Sequence, residues 1–167
     1  MKKLFYLLFL LPLAFFAACD DDDNLPQVNM TVTMSNVSKM GNTFYAIEGD
    51  TVKIDNTTVS SLSNKAATVT GVRYWLGPLR IISNPIVTPF EAAFVAEGLP
   101  VDENLGISVT ATVLQVDKSI SYAAMNIPFV VVKTLPDGAP ELGTFSATAT
   151  MGQSTTNPDA AKGVKTK

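Results

Sequence analysis

The sequence predicts an all-β protein, an antiparallel sandwich of two sheets and about seven strands. Three observations carry this. Apolar and polar residues alternate over one stretch after another, the period-two pattern of a half-buried strand. Gly, Pro, Asn and Asp punctuate these stretches at spacings of about 8–12 residues, as in a sandwich with short connections. Nowhere do apolar residues recur at i, i+3, i+4 and i+7 over a helical length.

The first strand starts at Val28, where Val28, Met30, Val32 and Met34 alternate with Asn29, Thr31, Thr33 and Ser35. Gly41-Asn42 is a turn. Phe44–Ile47 is a short β-prone piece closed by Glu48-Gly49-Asp50, and Val52 and Ile54 then alternate with Lys53 and Asp55. Asn56–Ala67 is rich in Ser, Thr and Asn and reads as a polar loop. Val69–Leu76 is the clearest strand, with Val72, Tyr74 and Leu76 on the core face and Arg73 and Trp75 on the other. Gly77-Pro78 ends it, and Leu79–Ile82 returns as its hairpin partner. Pro85 and Pro89 bracket an extended stretch leading into Phe90–Phe94. Ala92–Glu97 is the one helical temptation, and it is short. Ile107, Val109, Ala111 and Val113 share a face in Gly106–Val116, Asp117-Lys118-Ser119 turns, and Ile120–Val132 pairs back. Pro128 in that return marks an edge or a bulge.

The span 28–133 matches the roughly 100 residues of an immunoglobulin-like unit. Thr134–Lys167 differs in character, with Pro136, Asp137-Gly138 and Pro140 followed by Ser, Thr and Gly. Phe145, Ala147, Ala149 and Met151 alternate there, enough for one further strand. After Gly152 nothing is apolar enough to pack, so a loose tail is expected.

Gly49-Asp50-Thr51-Val52, then Val72-Arg73-Tyr74-Trp75-Leu76-Gly77, Pro89-Phe90-Glu91-Ala92-Ala93-Phe94 and Gly106–Val113 follow one another in an order that resembles bacterial Ig-like domains. The resemblance covers about 90 residues and implies an Ig-like antiparallel β-sandwich; its short motifs speak for fold rather than function. No acidic loop follows Ile107–Val116, so a calcium site of the kind some relatives carry is not implied.

The amino terminus carries the most specific signal. Lys2 and Lys3 precede Leu4–Ala18, fifteen apolar residues interrupted in character only by Pro12. A spanning helix needs about 20; a charged start with a short apolar core is a secretory signal, residues 1–18. Phe16-Ala17-Ala18 leads directly into Cys19, the single cysteine. This resembles the lipobox of bacterial lipoproteins, with Phe16 where Leu is usual. It implies removal of residues 1–18 and acylation of Cys19, so that residues 19–27 tether the domain to a membrane. A soluble protein cut at the same place would begin with a lone reactive thiol. Asp20, Asp21, Asp22 and Asp23 follow at once. Such a run extends by self-repulsion and lacks the turning geometry of a calcium loop. It also resembles the acidic export signal of some Gram-negative surface lipoproteins, which implies an outer-membrane protein facing the exterior.

Composition narrows the function. Losing Lys2 and Lys3 leaves ten basic side chains against fifteen acidic ones, a poor match to nucleic acid, which demands clustered Lys and Arg. With no histidine in the chain, His-based triads, zinc sites and general bases are absent, and no phosphate-binding loop or dinucleotide fingerprint occurs. Glu48 with Asp50 and Asp102 with Glu103 are paired carboxylates, but in turns such pairs mostly keep loops hydrated. No cofactor or metal is expected. Trp75 beside Arg73 is the candidate ligand contact: exposed on a β-face, the indole would stack on a sugar ring or anchor a protein. A tryptophan so placed is otherwise covered by a neighbouring loop or edge strand. The expected function is therefore a non-enzymatic surface lipoprotein for adhesion, scaffolding or envelope-complex assembly. The alternative is a glycan-binding lipoprotein of a polysaccharide-uptake system, which would require an aromatic patch around Trp75.

Overall fold

In the computed structural model, which describes residues 25–63, 67–78 and 80–162, the alternation that opens at Val28 runs on as one long strand, β1 (Val28–Met40). Val28, Met30, Val32 and Met34 are fully buried. At Asn36 the backbone adopts a φ of 60° and the register slips between Ser35 and Val37, the mark of a β-bulge. Parity changes there, so Val37 faces inward. Asparagine suits the position because its short side chain tolerates the left-handed region; its amide donates to the Thr51 carbonyl at 2.9 Å.

Nine further strands follow: β2 (Thr43–Ile47), β3 (Thr51–Ser61), β4 (Thr68–Leu76), β5 (Arg80–Ser83), β6 (Ala92–Val95), β7 (Ile107–Leu114), β8 (Ile120–Ile127), β9 (Phe129–Val132) and β10 (Gly143–Met151). One sheet runs β6-β3-β1-β2-β9 with β10 also paired to β1; the other runs β5-β4-β7-β8. All pairings between these strands are antiparallel except β2 with β9. The sandwich is all-β as expected, with ten strands where the pattern suggests about seven.

The additional strands have local causes. Asn56–Ser61, expected as loop, continues β3, because each residue finds a partner on β1 out to Ser61 opposite Val28. Thr and Ser pair well enough on a pleated surface when a strong apolar strand lies alongside. Ile120–Val132 is two strands, since the chain passes at Pro128 from the four-stranded sheet to the six-stranded one. Proline, with no N–H to give a ladder, falls where no ladder bond is needed.

The sandwich also does not end at Lys133. The further strand β10 forms, pairing with β1 from Val28–Met151 to Val37–Gly143. Beyond it the loose tail is corrected too: Ser154 exchanges both backbone hydrogen bonds with Tyr122 of β8, at 2.8 and 2.9 Å. A single 3-10 turn, Ala160–Lys162, lies beyond.

The core lies between the sheets. Val72, Tyr74 and Leu76 of β4 and Ile107, Val109, Ala111 and Val113 of β7 face the buried side chains of β1, Ile54 of β3 and Phe44 of β2, as strand parity requires. Tyr74 is fully buried and its hydroxyl donates to the Phe90 carbonyl at 2.7 Å. The 2.6 Å bond to Thr57 Oγ1 therefore has threonine as donor, since the phenol has one proton.

Burial pushes the Tyr74 phenol up to about 12, against the downward pull of the Thr57 hydrogen bond. An unfolded tyrosine ionises near about 10, so the folded state holds this proton more tightly. Its contribution is present in full below about pH 10 and is lost as pH rises through about 12. Denaturant midpoints should therefore fall over that window, and Tyr74→Phe should remove part of the slope. At neutral pH the same substitution should cost about 1–3 kcal/mol, because the Phe90 carbonyl and the Thr57 hydroxyl lose a buried partner. A neutral-pH midpoint equal to wild type would exclude this role.

Candidate functional site

The two predicted contact residues lie together on the outer face of the four-stranded sheet. Trp75 points away from the core, as its parity on β4 requires, but it is only 2% exposed. The cover is the C-terminal segment 152–162, which turns back across this face. Arg73 of β4 stands directly opposite Thr110 of β7, and both reach one carboxylate, Asp159. Thr110 Oγ1 donates to Asp159 Oδ1 at 3.2 Å, and Arg73 Nη1 lies 3.7 Å from Oδ2. Lys162, one turn further on, sits 3.3 Å from Oδ1 and 5.1 Å from the centroid of the Trp75 ring. One acid thus fixes the segment between two strands and its own lysine, which lies over the indole as a cation on a π-face.

Asn157 shapes the approach: its Oδ1 accepts from the Asp159 N–H at 3.0 Å, an Asx turn. Beneath the segment the Trp75 indole N–H and Arg73 Nε are buried without a hydrogen-bond partner among the described residues. The structure brings the two candidate residues together and closes the surface over Trp75 while Arg73 stays partly exposed, so the exposed stacking platform is corrected to a covered indole. Hydropathy gives no sign of this segment, because it is held by charge and hydrogen bonding. The turn-forming Asn157-Pro158-Asp159 is the local hint that the chain changes direction there.

Cys19 and Asp20, Asp21, Asp22 and Asp23 lie outside the described residues. The paired carboxylates Glu48 with Asp50 and Asp102 with Glu103 stay at turns and bends between strands. Among the described residues no group of three or more His, Cys, Asp or Glu is placed to hold a metal ion.

A feature the sequence does not suggest is an open cleft of about 330 Å³ between β10, the end of β8 and the β1–β2 hairpin. Phe44, Met125, Ile127 and Pro128 give it apolar walls, and Ala147 and Ala149 of β10 leave the space by being small. Lys39, Asn42 and Asn126 bring polar groups to it. Lys39 Nζ is already engaged, 2.6 Å from the Ser146 carbonyl and 5.2 Å from the Phe44 ring centroid. A cleft of mixed lining, with apolar walls, amides, an ammonium and no carboxylate, has no acid–base pair. No family model matches the chain, and no curated protein matches it.

Trp75 is the only tryptophan, so its emission reports the cover directly. Ending the chain at Thr156, or substituting Asp159→Ala, should shift emission to the red and raise quenching by acrylamide. Unchanged emission in both variants would mean that the segment does not shield the indole in solution.

Proposed function

We propose that this chain is a surface lipoprotein, anchored in the outer membrane through Cys19 and presenting one Ig-like sandwich to the exterior for adhesion, scaffolding or envelope-complex assembly. The observation that carries the reading is the sequence Phe16-Ala17-Ala18-Cys19 between a short apolar core and the acid run Asp20–Asp23. The all-β sandwich that starts at Val28 supports it, because it leaves only a short tether between the acylated cysteine and folded structure. Two or more acyl chains hold a protein on a bilayer stably where one does not. The reading is non-enzymatic, as the chain has no histidine and its cleft has no pair of titratable groups. The glycan-capture alternative depended on an exposed Trp75 and has lost that support. A protein partner, meeting the cleft or the rim of the sheets, is the reading we keep.

Cys19→Ala should release the protein from membranes in detergent phase separation. Retention of the alanine variant in the detergent phase would end the lipoprotein reading.

Replacing Asp20–Asp23 with four alanines should keep the acyl chains but abolish cleavage by protease added to intact cells. Equal cleavage of both chains would reduce the acid run to a spacer.

A further inference from the structure

We infer that the end of the sandwich where the chain enters, at Leu25, is a lipid-facing surface, with the β7–β8 hairpin tip and Leu62 resting on the bilayer that holds the anchor. The inference rests on the lipid anchoring of Cys19 proposed above. Hydrogen bonds define this end. Gln153 Nε2 donates to the Pro26 carbonyl at 2.7 Å, and Gln153 Oε1 accepts from Gln115 Nε2 at 2.9 Å and from Ser121 Oγ at 2.7 Å. The hairpin tip is thereby tied to the point where the tether joins the fold. Leu62 is beside it, its N–H donating to the Gln27 carbonyl at 2.9 Å.

Apolar side chains stand out into solvent here: Val116 is 69% exposed, Leu62 59% and Ile120 52%, with Leu114 paired across from Ile120. Scattered exposed residues of this kind are ordinary. These four share the end of the molecule that a tether would bring to a membrane. The six residue steps from Cys19 to Leu25 span at most about 20 Å, so acylation would hold this end within that distance of the bilayer and make it the part of the fold nearest the lipid.

The tip is also prepared for loss of water. The Gln115 N–H donates to the Ser119 carbonyl at 2.9 Å and the Lys118 N–H to the Gln115 carbonyl at 3.0 Å. Asp117 Oδ1 accepts from Ser119 N–H and Oγ at 2.9 and 2.6 Å. With those backbone groups satisfied internally their desolvation costs little, and the ionised Asp117 keeps its water by staying at the level of the headgroups. Lys118, exposed at the turn, offers an ammonium to lipid phosphate.

The test uses the full mature lipoprotein. Cys19 is the only cysteine of the chain and its thiol would be blocked by acylation, so Val116→Cys gives one site for an environment-sensitive fluorophore. Asn42→Cys, in the turn at the other end of β1, is the control. In vesicles of phosphatidylethanolamine and phosphatidylglycerol, the label at 116 should shift to the blue and be quenched by nitroxide lipids several-fold more than the label at 42. If the protein floats with the vesicles while both labels stay equally in water, the lipid-facing surface is excluded and the anchor stands; this is also the result if the tip awaits a protein partner. If the protein does not float at all, the anchor is wrong and the inference falls with it.

Discussion

The Tyr74 hydroxyl is the directional link at the centre of a sandwich whose core is otherwise packed by non-directional forces. A single cysteine allows no disulfide within the chain, and apolar burial alone does not fix how two sheets slide over each other. Tyr74 stands on β4 in one sheet; Thr57, on β3 in the other, donates to it, and the phenol donates to the Phe90 carbonyl in the connection before β6. In a low-dielectric interior each of these bonds is strong and each unmade partner costly. The arrangement requires three separate things of the chain. Residue 57 must lie in a strand, position 74 must face inward, and Phe90 must hold a positive φ of 63° with its ring buried in the core.

The second of those requirements is legible in the sequence and the other two are not. Strand parity is a local property: Val72, Tyr74 and Leu76 can only share a face, and the apolar ones name which face it is. The same logic places Val28–Met34 and Ile107–Val113. Thr57 escapes because Asn56–Ser61 has no apolar alternation of its own; it becomes strand through the long-range pairing with β1, which no local window contains. Pro128 reads as an edge or a bulge within one returning strand, whereas it marks a change of sheet, which depends on where β2 lies. For the site, Arg73 and Trp75 are legible as neighbours on the outer face. Their cover is not, since it comes from a segment some eighty residues later that carries almost no apolar signal.

That cover illustrates how a polar segment can be held against a sheet. Exposed ion pairs contribute little, and a segment tied down by several of them would fray. Asp159 differs because its carboxylate is almost fully buried while Arg73 and Lys162 remain partly exposed. The cations keep part of their hydration, and the acid, which has lost its own, gains the Thr110 hydroxyl as compensation. The indole lies beneath the Lys162 ammonium, a cation on its π-face.

The chain's final path also answers a problem common to open sheets. A free strand edge is a template for unwanted pairing, and β8 ends its sheet with one edge bare. Ser154 pairs with Tyr122 and closes the start of that edge. Because antiparallel bonds alternate, the backbone groups of Ala124 and Asn126 point to the same open side and are not reached by this bridge. They lie toward the cleft, whose other wall is the outer edge of β10. There the Ser146 carbonyl is met by Lys39 Nζ, a charged side chain placed on an edge acceptor. Edge-to-edge stacking of identical copies would have to displace that lysine and bury its charge, which is costly without a partner acid, and none of the residues lining the cleft is acidic. The lysine thus blunts the β10 edge at the one acceptor it covers.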